Sequence, residues 1–181
     1  MPAGFRSLGE EEVYRGPLIA VAHGRFAAPD GSEFDRDVVH HPGAVSVVPV
    51  VDGRSVLLVR QFRAAVGREL LEIPAGKRDV AGEPPEETAR RELVEEVGRR
   101  AGRLEKLAEF YNSPGFCDEL SHVYLATDLT DAEPDAQGIE ERHMTVEQVA
   151  LDDVPGLIAA GEITDAKTII GLMLTLSRAG R

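Results

Sequence analysis

The chain has 181 residues, 43% of them hydrophobic and 29% charged, a balance that belongs to one folded globular domain and not to a disordered or fibrous chain. Its formal charge of -12 opposes gripping a nucleic-acid backbone or an anionic membrane through lysine and arginine, so neither is expected as a partner. Cys117 is the lone cysteine, which excludes an intramolecular disulfide and a thiolate zinc cluster. Residues 1–14 lack the basic start and apolar run of a secretory signal, and no stretch approaches the roughly 18 apolar residues of a membrane span, so a cytoplasmic protein is expected.

In chain order, residues 16–39 carry alternating apolar side chains around Pro29-Asp30-Gly31, a turn sequence, and predict a small hairpin. Two β-rich runs follow, 44–51 and 55–62, joined by Asp52-Gly53-Arg54, a hairpin signal. Pro49 has no amide proton to give to a ladder, so the first run is expected at an edge or a bulge. After residues 69–73, a loop bearing Gly and Pro leads to a helix over 86–97, on which Ala89, Leu93 and Val97 recur every four residues and Gly98 supplies the stop. Strands are expected near 107–111, 121–127 and 144–149, and helices over about 154–160 and 165–178. Thr164 and Asp165 are candidate caps for the last helix, whose Ile169, Ile170, Leu172, Met173, Leu174 and Leu176 offer a broad apolar face to a sheet. The order is mixed α/β, without internal repeats, low-complexity tracts or linkers.

The chemistry gathers in 76–98, which reads GKRDVAGEPPEETARRELVEEVG. Glu92, Glu95 and Glu96 stand at relative positions zero, three and four, so a helix sets their carboxylates side by side. Two readings stay open on spacing alone. On a solvated face the like charges cost about 0.2–0.5 kcal/mol per pair; around a hard divalent cation the same oxygens become a ligand set. Glu92 and Glu96 are expected off the core stripe of Ala89, Leu93 and Val97. The histidines form no helical ligand pair: His40 and His41 are adjacent, while His23, His122 and His143 are isolated, so solvated or hydrogen-bonded structural roles are expected. Walker loop, GxGxxG fingerprint and GxSxG elbow are all absent.

The run Arg91-Glu92-Leu93-Val94-Glu95-Glu96-Val97-Gly98, with Glu83 and Gly76 upstream, closely resembles the Nudix box. Gly76 precedes Glu83 by seven positions where the usual spacing is six, so the loop through Asp79-Val80-Ala81-Gly82 carries one extra residue. The resemblance implies an α/β Nudix fold over 44–181, a mixed β-sheet sandwiched between helices, with residues 1–43 as a β-rich N-terminal extension able to serve dimerisation. It implies Mg²⁺ or Mn²⁺ held principally by Glu92 and Glu96, with Glu95 as a further or water-mediated ligand and the Ala75 carbonyl completing the set. Glu83 is expected to pair with Arg91 and hold the loop against the helix. Such oxygen donors suit either cation, which can stabilise charge developing on phosphorus.

Residues 43–50, Arg60-Gln61-Phe62-Arg63 and Glu72-Ile73-Pro74-Ala75-Gly76 look like the framework of the ADP-ribose pyrophosphatase branch. In that branch a proline about sixteen residues beyond the box is associated with preference for ADP-ribose, and Pro114 falls there. Arg63 matches an arginine that faces the substrate diphosphate, with a surface salt bridge as the alternative; Glu72 matches a position near substrate and metal, with a solvated strand end as the alternative. The resemblance places the general base in a loop after the box, here 135–143, with Glu140 the first candidate and Glu141 the second. Phe5, Tyr14, Phe26 and Phe34 are the aromatic candidates for an adenine pocket, and the N-terminal strands are expected to support a homodimer. Metal-dependent hydrolysis of ADP-ribose to AMP and ribose 5-phosphate leads as the function. Another nucleoside diphosphate derivative, such as a nucleotide sugar, or an oxidised nucleotide is second. A non-catalytic nucleotide sensor, which would not need the whole glutamate set, is third.

Overall fold

The computed structural model describes residues 4–133 and 141–180, and of Glu141 the backbone only. It comprises two compact units, Met1–Gly43 with Tyr111–Leu120, and Ala44–Phe110 with Ser121–Arg181.

The first unit is built on an antiparallel sheet in the order β1 (Arg6–Arg15), β2 (Ala20–Ala27), β3 (Glu33–His40). The expected hairpin is β2–β3. Asp30 accepts from the Ser32 amide at 2.9 Å, and Gly31 takes φ 86°, a left-handed conformation that glycine adopts without a Cβ clash. A third strand, β1, was not expected from sequence. Every residue of β1 is exposed, so no buried alternation marks it, and its backbone ladder to β2, from Arg6↔Ala27 to Arg15↔Ala20, holds it in place. Within the same unit the Val39 amide donates to the Phe116 carbonyl at 2.7 Å and the Asp118 amide to the Val39 carbonyl at 3.1 Å, which ties Tyr111–Leu120 to β3.

The second unit contains a mixed sheet between helices, the architecture that the sequence implied. Its strands are β4 (Ala44–Val51), β5 (Ser55–Arg63), β6 (Arg68–Glu72), β7 (Ala75–Lys77), β8 (Arg99–Tyr111), β9 (Leu120–Asp131) and β10 (Thr145–Ala150), in the order β10-β5-β4-β9-β8 with β6 on β5 and β7 on β4. The helices are α1 (Pro85–Val97), α2 (Val154–Ala159) and α3 (Ala166–Arg178). Alternation in β4 and β5 divides the core. Val45, Val47, Leu57 and Val59 pack with Ala89, Leu93 and Val97 of α1, while Val48, Val50, Val56 and Leu58 pack with Leu172 and Leu176 of α3.

Pro49 lies in a central strand, against the expectation of an edge or bulge. The reason is a gap in the ladder. β4 pairs with β7 over Ala44–Ser46, the Val47 amide donates to the Pro74 carbonyl, and pairing with β5 starts only at Val50. Position 49 would send its amide to the same side as Val47, where no pairing of Pro49 is made, so the missing proton costs nothing there. The Asp52-Gly53 turn between β4 and β5 follows expectation, with φ 53° and 64° at its two central residues, the left-handed pair of a tight hairpin. β8 begins at Arg99, well before the expected 107; its first half is mostly polar or glycine with no buried residue, so no apolar alternation marked it. In α3 the buried positions are Thr168, Gly171, Leu172, Thr175 and Leu176, and Met173 is exposed, so the apolar face is narrower than expected. Small residues let the helix approach closely: a Cβ on Gly171 would lie 2.9 Å from Val48 and 3.1 Å from both Ile73 and Val123.

Candidate active site

Helix α1 starts on Pro84-Pro85, with Glu86 and Glu87 in its first turn, and ends on Gly98 at φ 61°, whose amide bonds back to the Val94 carbonyl at 3.0 Å. Between these stops the helix presents Glu92 and Glu96 toward β7. Both are only 8% exposed, buried beside the core stripe of Ala89, Leu93 and Val97 but outside its apolar cluster. The cause is the backbone opposite them. Gly76 lacks a Cβ, and the Glu92 carboxyl group occupies the space that one would fill; the Ala75 amide donates to Glu96 Oε2 at 2.9 Å. The glutamate pair is thereby set against the strand whose Ala75 carbonyl was the expected fourth oxygen.

Arg91 offsets the concentrated charge. Its Nη1 is 2.8 Å from both Glu92 Oε1 and Glu95 Oε2, and its Nη2 is 3.6 Å from Glu83. Burial works against the guanidinium charge, yet Glu92, then Glu95 and Glu83, raise its pKa above the ordinary value. The loop ahead of α1 makes a turn, Val80 to Glu83, closed by the Glu83 amide on the Val80 carbonyl at 3.1 Å with Gly82 at φ 79°. Glu83 also accepts from the Thr88 hydroxyl at 2.7 Å, which fixes the loop's end to the first turns of α1.

Three carboxylates, two of them buried around a cradle that a Cβ would fill, have the donor chemistry of a site for a hard divalent cation. As the side chains stand, Glu95 is turned onto Arg91, and among the described residues no three acidic, histidine or cysteine side chains form a cage.

Arg63 and Glu72 meet on the neighbouring strands β5 and β6. Arg63 Nε and Nη2 donate to the two carboxylate oxygens at 2.8 and 2.6 Å. Glu72 is fully buried and not a solvated strand end. Lys167 of α3 also pairs with it, and Lys167 in turn lies 2.9 Å from Asp165. Burial pushes the Glu72 pKa up, but the Arg63 hydrogen bonds and the Lys167 charge outweigh it and hold it below the usual carboxylate value. The Arg63 pKa is raised, chiefly by its bonds to Glu72, with Asp165 and Glu96 adding smaller attractions. Lys167 was missed in the sequence. The available signal was a lysine in the first turn of a helix, where the amide ends disfavour positive charge, so that an acidic partner is required.

Pro114 belongs to the first unit, where it lines a cavity of about 400 Å³ with Phe26, Phe34, Tyr111 and Phe116. Phe26 and Phe34 stack with centroids 5.6 Å apart, and the Arg36 guanidinium lies 4.8 Å over the Phe34 ring. Phe5 meets Phe34 edge-on, while Tyr14 is exposed on β1. His40 is held by Asp118 at 2.6 Å and Glu10 at 2.9 Å, and His122 is buried 3.1 Å from Glu109, so burial lowers its pKa. Glu140 lies outside the described residues; Glu141 opens a short 3-10 turn, Glu141–His143, directly before β10.

Comparison with known proteins bears on this arrangement. Residues 40–169 match the NUDIX domain family. The chain belongs to the Nudix family. Over 163 residues this Nudix chain is 40% identical to an ADP-ribose pyrophosphatase of Bacillus subtilis (strain 168), covering 90% of this chain and 88% of the relative. It is 37% identical over 169 residues to an ADP-ribose pyrophosphatase of Mycobacterium tuberculosis, covering 93% and 82%. A solved structure of an ADP compounds hydrolase superposes with a TM-score of 0.84 over 98% of this chain and 96% of that one; at 24% identity, the likeness is one of fold. In the described residues no helix is long and apolar enough to cross a membrane.

Proposed function

We propose that this Nudix chain hydrolyses the diphosphate bond of ADP-ribose to AMP and ribose 5-phosphate, with a divalent metal ion. The observation that carries the reading is the buried pair Glu92 and Glu96 set against the β7 backbone at Ala75 and Gly76. The two relatives named ADP-ribose pyrophosphatase support the substrate. Held by Glu92, Glu95, Glu96 and the Ala75 carbonyl, Mg²⁺ or Mn²⁺ would supply neutralisation of the diphosphate charge.

The chain's own groups do the rest. Arg63, fixed through two donors by Glu72, is 40% exposed and turns its remaining donors to a phosphate, for which a planar guanidinium is well shaped. Glu83 and Arg91 hold the loop that follows β7 against α1. Glu140 accepts the proton of the attacking water, with Glu141 the second choice. Pro114 tunes the preference for ADP-ribose by shaping the loop over the terminal ribose. The protein works in the cytoplasm as a homodimer, a reading supported by β1, an exposed outer strand that carries Leu8, Val13 and Tyr14 in solvent.

Glu96→Gln tests the assignment. Glutamine's carbonyl oxygen can still accept from the Ala75 amide, so the fold is retained, while the charge needed for the cation is lost. Turnover of ADP-ribose falls by orders of magnitude and Mg²⁺ binding weakens in calorimetry; near-normal activity in limiting Mg²⁺ rejects the site.

A further inference from the structure

Lys167 occupies the second position of α3, after the Asp165 cap and Ala166, where a helix's free amides repel positive charge. Its side chain is nonetheless only 13% exposed. Two carboxylates hold it there, Glu72 and Asp165. Glu72 has a side chain 1% exposed and takes both of Arg63's inner donors. Arg63 and Lys167 thus balance Glu72 and Asp165 in one group, and of the four side chains Arg63 is the most exposed.

That balance gives Lys167 a task. Without its ammonium, two carboxylates would draw on Arg63 alone, and little positive field would remain at the guanidinium's outer edge for an anion. With it, the buried negative charge is met by a buried positive one, and Arg63 keeps its field toward solvent. The placement is rigid. The Ile73 amide donates to Thr168 Oγ1 at 3.0 Å, that hydroxyl donates to Asp165 at 2.6 Å, and Asp165 accepts from the Thr168 amide at 2.9 Å. The first turn of α3 therefore grips residues 72 and 73 through main chain and side chain together, directly ahead of Ala75 and Gly76.

We propose that Lys167 is a positioning residue for substrate binding: it neutralises buried Glu72 so that Arg63 can receive a diphosphate. This rests on the reading of Arg63 as a phosphate ligand, and the test is built around Arg63. Binding of ADP-ribose and of inorganic pyrophosphate is measured by calorimetry in EDTA, where metal-dependent turnover is stopped. The same variants are then assayed for KM and kcat with Mg²⁺. They are Lys167→Met, Lys167→Arg, Arg63→Ala and the double variant Arg63→Ala with Lys167→Met, each checked for folding by thermal melting. Lys167→Met is expected to weaken binding and raise KM by about tenfold, with kcat within about threefold of the parent. Lys167→Arg, which keeps the charge, binds more tightly than Lys167→Met. On the Arg63→Ala background, Lys167→Met adds less than about twofold, because a residue acting through Arg63 has nothing left to act on.

Equal losses from Lys167→Met in both backgrounds would show a merely structural lysine and overturn the proposal. Unchanged KM in Lys167→Met, or Lys167→Arg no better than Lys167→Met, overturns it too. Unaltered binding in Arg63→Ala removes the proposal together with the role of Arg63. If the parent binds pyrophosphate with this pattern of variants yet does not hydrolyse ADP-ribose, the substrate assignment alone fails and the role of Lys167 stands.

Discussion

Glu72→Gln isolates the electrostatic part of the buried group, because glutamine has nearly the same shape and leaves the packing intact. The native carboxylate accepts from Arg63 at 2.8 and 2.6 Å and pairs with Lys167. In the variant one oxygen becomes an amide donor, and it faces cations that offer no acceptor. Removing one partner of a buried ion pair costs about 3–5 kcal/mol. Arg63 is 40% exposed and can turn to water, which selects the lower end, about 3 kcal/mol. For a chain of 181 residues each kcal/mol moves the melting midpoint by about 2–4 °C, so Tm falls by about 6–12 °C at neutral pH.

Acid supplies a second signature of the same substitution. The folded-state pKa of Glu72 lies below its ordinary value of 4.5, so its contribution is fully present above the unfolded pKa and is lost as pH falls through the folded one. The gap in Tm between parent and variant is therefore widest near neutrality, begins to narrow as the pH drops below about 4.5 and closes as it falls through the lower folded-state pKa. Circular-dichroism melts from neutral to acidic pH read both effects. A variant that melts within about 2 °C of the parent at neutral pH, or a gap that widens on acidification, would refute the account of Glu72 as an ionised, buried partner.

Gly76→Ala places a methyl group on the Glu92 carboxyl, so Glu92 must leave its seat. Stability falls by about 1–3 kcal/mol, and kcat falls by far more than Tm predicts, as read by melting and steady-state kinetics. Glu140→Gln lowers kcat by about 10²–10⁴ with substrate and metal affinity little changed, while Glu141→Gln does less. If Glu141→Gln is the crippled variant the roles exchange, and normal kcat in both removes the loop base. Pro114→Ala alters the ratio of kcat/KM between ADP-ribose and other diphosphates more than it alters Mg²⁺ affinity, and equal losses on all substrates would make it a folding residue. Val13→Glu on the outer strand β1 shifts the protein from dimer to monomer by light scattering, and a parent that is already a monomer at assay concentration defeats the dimer proposal.

What could be read from the sequence depended on whether a residue's role was local. The helix stop at Gly98 and the hairpin turn at Asp52-Gly53 are encoded in the residues that make them, and the near-continuous β-rich runs 44–51 and 55–62 became strands buried on both faces. The glutamates of α1 were legible as a set, but their burial was not, because it depends on Gly76 offering an empty Cβ position across the packing interface. β1 escaped because an all-exposed strand has no apolar rhythm, and Pro49 misled because its missing amide proton matters only if a partner strand is opposite. Lys167 and Glu72 are 95 positions apart, and nothing near either residue announces the other.

Measuring kcat/KM with product analysis across ADP-ribose, a nucleotide sugar and an oxidised nucleoside triphosphate identifies the bond that is cleaved. ADP-ribose is expected to be the preferred substrate, with AMP and ribose 5-phosphate released in equal amounts and the reaction abolished by EDTA. A higher kcat/KM for either other class would contradict the substrate assignment, and release of products other than AMP and ribose 5-phosphate from ADP-ribose would contradict hydrolysis at the diphosphate bond.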